Sequence, residues 1–161
     1  MKLRAGPIYM YYAMLLDQER LLTTFKITIS VRTLELADQA CAILFRRRRG
    51  RFEFCLINSR AGNWKFPKGY IERGESYIDT ALKEASEKAG LHGRIIGSPL
   101  GCYQITKKGK FLNVITVVME VAKRDKTWKE SDVHERRWKS FNRARQSISE
   151  PNLVSLLDVA R

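Results

Sequence analysis

The stretch GYIERGESYIDTALKEASEKAGL, Gly69–Leu91, decides the fold. Ser76 reads as a helix N-cap. Its hydroxyl can accept the backbone N–H three positions on, and Asp79 can reach back to the Ser76 N–H, the two halves of a capping box. Gly90 reads as the helix C-terminal glycine, because a left-handed backbone costs it no Cβ clash. At the helical increment of about 100° per residue, Ile78, Ala81, Leu82, Ala85 and Ala89 fall on one arc. Thr80, Lys83, Glu84, Glu87 and Lys88 fall on the opposite arc. The spacing therefore predicts a helix with one face on a sheet and the other carrying two carboxylates, Glu84 and Glu87, at neighbouring positions. Two carboxylates on a rigid helix beside a glycine turn, Phe66-Pro67-Lys68-Gly69, suit a hard divalent cation and the phosphates it carries.

Outward from this helix the chain alternates strand and turn signals. Ala40 to Phe45 is an apolar run that predicts a buried strand, Arg46 to Gly50 a charged turn, and Phe52 to Ile57 the partner strand. Asn58 to Asn63 reads as a loop and Trp64 to Phe66 as a short strand leading into the turn. After the helix, Arg94 to Ile105 and Phe111 to Val121 form a hairpin around Lys107-Lys108-Gly109-Lys110, with Pro99 interrupting the first arm. Asn142 to Ser147 predicts a short helix. Ser149 is a candidate cap for the last one, with Pro151 in its first turn. Leu153, Val154, Leu156, Leu157 and Ala160 are its apolar stripe. Helices and a mixed sheet in this order predict an α/β sandwich. Residues 37–161 form this domain. Residues 1–36 are an N-terminal extension of unclear role, with a possible short strand at Lys26 to Arg32.

Thirty basic against 17 acidic residues give a formal charge of +13. That surplus favours polyanionic partners and leaves nucleic acid possible, although no aromatic-basic recognition motif supports it. Cys41, Cys55 and Cys102 are odd in number, lack metal spacing and lie in strand-like contexts. Reduced buried thiols in a cytoplasmic protein are the simplest account. Two histidines, His92 and His134, make a histidine-built metal site improbable. No apolar run has membrane-spanning length, so no membrane partner is expected.

The window G-x5-E-x7-K-E-A-x-E-K-x-G-L resembles the Nudix box, G-x5-E-x7-R-E-U-x-E-E-x-G-U, with U a bulky apolar residue. LINSRAGNWKFPKG at 56–69, W-x-E at 128–130 and R-x-W at 136–138 are similar to the diphosphoinositol polyphosphate phosphohydrolase-like branch of that family. The resemblance covers about residues 39 to 160 and implies a Nudix α/β/α sandwich. It further implies metal-dependent cleavage of a phosphoanhydride in a nucleoside diphosphate-linked or polyphosphate substrate, such as a diphosphoinositol or diadenosine polyphosphate. By resemblance, Mg²⁺ or Mn²⁺ is held by Glu84, Glu87 and the Gly69 carbonyl. Glu84 and Glu87 are catalytic, and Glu87 is ligand or general base. Lys68, Lys65 and Arg60 approach substrate phosphates, while Glu75, Lys83 and Gly90 steady the box.

Three positions depart from the pattern. Lys83 replaces arginine, Ala85 replaces a bulky residue, and Lys88 replaces a glutamate that commonly binds metal in relatives. Each unit charge at about 4 Å counts for roughly 4 kcal/mol at an effective dielectric of 20, so a lysine here weighs heavily against a cation. Glu120, Glu130, Asp132 and Glu135 are the candidates for a compensating carboxylate. A catalytically silent domain that senses a nucleotide or polyphosphate is the alternative, and RNA binding through the basic surface ranks last.

Overall fold

A computed structural model describes residues 34–59 and 62–160. The possible strand at Lys26 to Arg32 and the substrate candidate Arg60 lie outside them. β1 (Gln39–Arg48) and β2 (Arg51–Asn58) form the predicted arginine-tipped hairpin, turning through Arg49 and Gly50 at positive φ. That turn geometry matches the right-handed twist of the strands it joins. β3 (Trp64–Lys65) and β4 (Lys68–Tyr70) follow, then α1 (Tyr77–Ala89). β5 (Leu91–Lys107) and β6 (Lys110–Arg124) make the long basic-tipped hairpin, and β7 (Glu135–Ser140) leads into α2 (Phe141–Ser147) and α3 (Pro151–Ala160).

The seven strands form one sheet in the order β3-β2-β1-β6-β5, with β4 also paired to β1 and β7 to β2. β1 runs parallel to β6 and antiparallel to β2 and β4, so the sheet is mixed. Alternation along β1 sorts the core. Cys41, Ile43 and Phe45 face one cluster with Phe54, Tyr103, Ala144, Leu153 and Leu157. Ala40, Ala42 and Leu44 face the other, with Ala81, Ala85 and Ala89 of α1. Helices α2 and α3 thus cover one face and α1 the other, which is an α/β/α sandwich. The small alanines of α1 bring its axis close to the sheet, and Ala85 is fully buried at the position where the box pattern expects bulk.

Both ends of α1 follow the sequence. Ser76 accepts from the Asp79 N–H at 3.1 Å, and Asp79 accepts from the Ser76 N–H at 3.1 Å. Gly90 lies in the left-handed region at φ 58°. Ser76→Ala is expected to cost about 1 kcal/mol, read as a lower urea midpoint at unchanged denaturant slope.

Three local expectations are corrected. The stretch after Pro67 is not all turn, because Lys68–Tyr70 pairs with β1 as a strand. That strand packs against the flank of α1, so the arc opposite the sheet-facing one is partly covered. Thr80 and Glu84 are buried, whereas Ile78, assigned to the sheet-facing arc, is exposed. Helix α3 is capped by Glu150, whose carboxylate accepts from the Asn152 N–H at 3.1 Å, and not by Ser149. Pro99 falls in the register shift between Ile96 and Gly101, where a missing N–H is tolerated.

Candidate active site

β4 places the turn against the helix. Gly69 lies opposite Ala40 and Lys68 opposite Cys41, so β1 fixes both. The Glu84 carboxylate presses directly on Gly69. A Cβ at Gly69 would lie 2.0 Å from Glu84 Oε1 and 2.2 Å from its carboxyl carbon. Only a residue without a side chain admits that carboxylate, which is why this glycine belongs to the site. Glu84 keeps 10% of its side-chain surface, and Lys88 stands beside it with Nζ 2.8 Å from Oε2. The contact is an ion pair without good hydrogen-bond alignment, since Oε2 is buried and makes no hydrogen bond among the described residues. The same ammonium donates to the Lys68 carbonyl at 2.7 Å. Lys88 therefore ties the helix to the turn.

Around this centre the box loop is braced by charge. Lys83 donates to Glu75 at 2.6 and 2.8 Å, and Thr80 adds a hydroxyl bond to Glu75 at 2.9 Å. The Lys83 ammonium holds the Glu75 carboxyl below the usual glutamate range, and Thr80 adds to that. His92 does the same for Asp125 across a 2.6 Å contact. A carboxyl depressed in the folded chain binds its proton less readily there than in the unfolded chain. Its stabilisation is therefore present above the ordinary carboxylate pKa and is lost as pH falls through the depressed value. Urea midpoints should fall on acidification through that window, and the fall should be shallower in Glu75→Gln.

Every carbonyl that α1 leaves open at its end finds a donor. Ser86 accepts from Gly90 N–H, Glu87 from Glu130 N–H at 3.0 Å, and Lys88 from the Trp128 indole at 3.0 Å. Arg136 donates to the carbonyls of Ala89, Gly90 and Asp125, with its guanidinium stacked 4.2 Å over Trp128. A cation at this end also complements the helix dipole. The W-x-E and R-x-W spacings flagged these two residues in the sequence, but their shared task needs partners some 40 positions away.

Lys65 and Lys68 stand on one wall of a cleft of about 260 Å³, lined further by Trp64, Phe66, Tyr103 and Glu150. Burial holds both lysines below the usual lysine value, and the neighbouring ammoniums of Lys88 and Lys107 push the same way. Cys41 would oppose this only as a thiolate. Burial pushes its thiol up to about 12, so it is neutral at pH 7 and offers no relief. The Tyr103 hydroxyl is likewise raised, first by burial and then by the neighbouring Cys41 thiol. Lys68 also donates to Gln39 at 3.1 Å. Lys65 and Lys68 thus line the cleft, while Lys88 meets the Lys68 carbonyl and Lys107 lies 5.1 Å over the Tyr70 ring, so four lysines gather around the box turn.

The metal set read from the resemblance is only partly assembled. Glu84 meets Gly69, but Glu87 turns to Lys129 at 2.7 Å. Of the candidates for a compensating carboxylate, Glu120 pairs with Arg94, Glu130 with His134 and Glu135 with Arg137, and Asp132 is exposed. Among the described residues no three His, Cys, Asp or Glu side chains group in a way that could hold a metal ion. As folded, with an ammonium on Glu84 and on the Lys68 carbonyl next to Gly69, and with Glu87 turned to Lys129, this donor set does not fit Mg²⁺ or Mn²⁺.

The NUDIX domain model matches residues 36–157. The chain belongs to the Nudix family. It is 38% identical over 65 residues to the asymmetrical bis(5'-nucleosyl)-tetraphosphatase of Sus scrofa, covering 35% of this chain and 44% of that protein. It is 31% identical over 111 residues to the mitochondrial Nudix hydrolase 18 of Arabidopsis thaliana, covering 67% of this chain and 62% of that protein. The chain thus spans less than two thirds of the length of these curated relatives. Among solved structures, the C. elegans Ap4A hydrolase binary complex aligns with TM-score 0.65 at 23% identity, over 74% of this chain and 90% of that one. The NUDIX domain of Shewanella oneidensis NrtR, complexed with ADP ribose, aligns with TM-score 0.64 at 15% identity, over 93% and 96%. At these identities the two structures attest the Nudix fold. Hydrolases of the family generally use divalent metals, which makes Lys88 the feature of this Nudix box that needs explaining. None of the helices among the described residues is long and apolar enough to cross a membrane.

Proposed function

We propose that this Nudix domain is a pyrophosphohydrolase that binds a nucleoside diphosphate-linked or polyphosphate compound in the lysine-lined cleft and cleaves a phosphoanhydride bond. The observation that carries the reading is the gathering of lysines at the box turn: Lys65 and Lys68 in the cleft lining, Lys88 on the Lys68 carbonyl and Lys107 over the Tyr70 ring. Ammonium groups so placed neutralise a phosphate chain and the charge that builds on a leaving phosphate. Diadenosine polyphosphates are favoured by the kinship with tetraphosphatases, and diphosphoinositol polyphosphates by the basic surplus. Water is the second substrate, and its oxygen ends on phosphorus. Of the two helix carboxylates of the box, Glu87 is the more open to solvent. Its pairing is with the exposed Lys129, which exchanges easily for water. A cytoplasmic setting accords with three free thiols.

Phosphate release is measured with diadenosine tetraphosphate, a diphosphoinositol polyphosphate, nucleoside triphosphates and ADP-sugars, each with Mg²⁺, with Mn²⁺ and in chelator. The expected result is turnover of at least one compound that Glu87→Gln abolishes. Turnover no greater than that of Glu87→Gln in every condition defeats the enzyme reading. The contact of Lys88 with Glu84 and with the Lys68 carbonyl favours a second reading, a polyphosphate-binding sensor without catalysis. Binding without turnover is its signature.

A further inference from the structure

We propose that the Lys88 ammonium is a built-in cation of the Nudix box, so that the cleft binds a polyphosphate chain without a divalent ion. The proposal rests on reading the cleft as a polyphosphate site, whether or not hydrolysis follows. Its foundation is the place of one nitrogen. Lys88 Nζ lies 2.7 Å from the Lys68 carbonyl and 2.8 Å from Glu84 Oε2. A turn carbonyl and a helix carboxylate are hard oxygen donors of the kind a small divalent ion takes. An ammonium has three N–H donors, and the one hydrogen bond to the Lys68 carbonyl leaves donors for a ligand beside the ion pair with Glu84.

The ammonium is also held in place. Glu84 is wedged against Gly69 in space that a Cβ would fill, and it is nine-tenths buried. Removing Lys88 from it would leave a buried carboxylate uncompensated. A divalent ion entering the box would have to displace this ammonium and then sit among Lys65, Lys68 and Lys107. No further carboxylate among the described residues comes to its aid. A polyphosphate meets the opposite situation, because every nearby ammonium attracts it. The same four charges that exclude a metal ion therefore recruit the phosphate chain.

The test is calorimetric, on the full chain stripped of metal, with inorganic tripolyphosphate as the probe. In EDTA the wild type should bind it at least as tightly as in excess Mg²⁺, and Lys88→Gln should weaken the EDTA affinity by about tenfold, as loss of one charge-assisted contact predicts. Lys88→Arg, which keeps the charge, should bind more tightly than Lys88→Gln. In separate titrations without phosphate, Mn²⁺ should give no saturable heat with the wild type and a saturable isotherm with Lys88→Glu. Thermal melts establish that each variant is folded. Tripolyphosphate binding that requires Mg²⁺, or saturable Mn²⁺ binding by the wild type, overturns the built-in cation and leaves the hydrolase reading standing. Absence of tripolyphosphate binding in both buffers overturns the polyphosphate cleft and this inference together.

Discussion

Lys88→Met is expected to destabilise the domain by about 2–3 kcal/mol at neutral pH, just below the range for breaking a fully buried ion pair, because the ammonium keeps 22% of its side-chain surface. The loss comes from what is left behind. Glu84 stays wedged beside Gly69 with a buried carboxylate whose cation is gone, and the Lys68 carbonyl loses a donor at 2.7 Å. Neutralising the stranded partner should undo most of the damage. Glu84→Gln in the Lys88→Met background is expected to recover more than half of the lost stability, so the two changes are strongly non-additive. Urea unfolding of the four proteins in the cycle checks this. Additive losses would show that the pair is not coupled.

Gly93→Ala is expected to be at least as severe, about 3 kcal/mol or more, and to leave little folded protein. Gly93 sits where the β5–β6 register shifts after His92. A Cβ there would lie 1.9 Å from the Glu120 carbonyl oxygen, 2.8 Å from its carbon and 3.0 Å from Val121 Cα. These are backbone atoms of the neighbouring strand, held by the ladder on both sides, and cannot move aside singly. Gly69→Ala makes an instructive contrast. Its clash is with the end of a glutamate side chain, which can be pushed away, so stability should suffer less while the Glu84–Lys88 contact is lost. Circular dichroism melts and soluble yield separate the two cases.

What the sequence disclosed was local or periodic. The capping box at Ser76, the Gly90 terminus, the arginine and lysine hairpin tips and the stripe of α3 depend on residues a few positions apart, and their spacings carry the physics. The alternation in β1 was masked by its uniformly apolar composition, since both of its faces are buried. The helical wheel put Glu84 on the arc away from the sheet but could not show what covers that arc. The covering strand Lys68–Tyr70 is a tertiary fact. Lys88 could be recognised as a departure at a box position, but its reach to a carbonyl 20 residues earlier could not. The capping of α1 by Trp128 and Arg136 was illegible for the same reason, as was the engagement of Glu120, Glu130 and Glu135 with partners outside the box.

The central claim is that a lysine ammonium, and not a metal ion, sits between the turn and the helix of this Nudix box. The most direct measurement is an anomalous-difference map from a crystal soaked in millimolar Mn²⁺. The account predicts no manganese peak between Gly69 and Glu84, with Lys88 Nζ still in hydrogen-bond contact with the Lys68 carbonyl. A manganese peak bound by Glu84 and the Gly69 carbonyl, with the Lys88 side chain swung out, would contradict it.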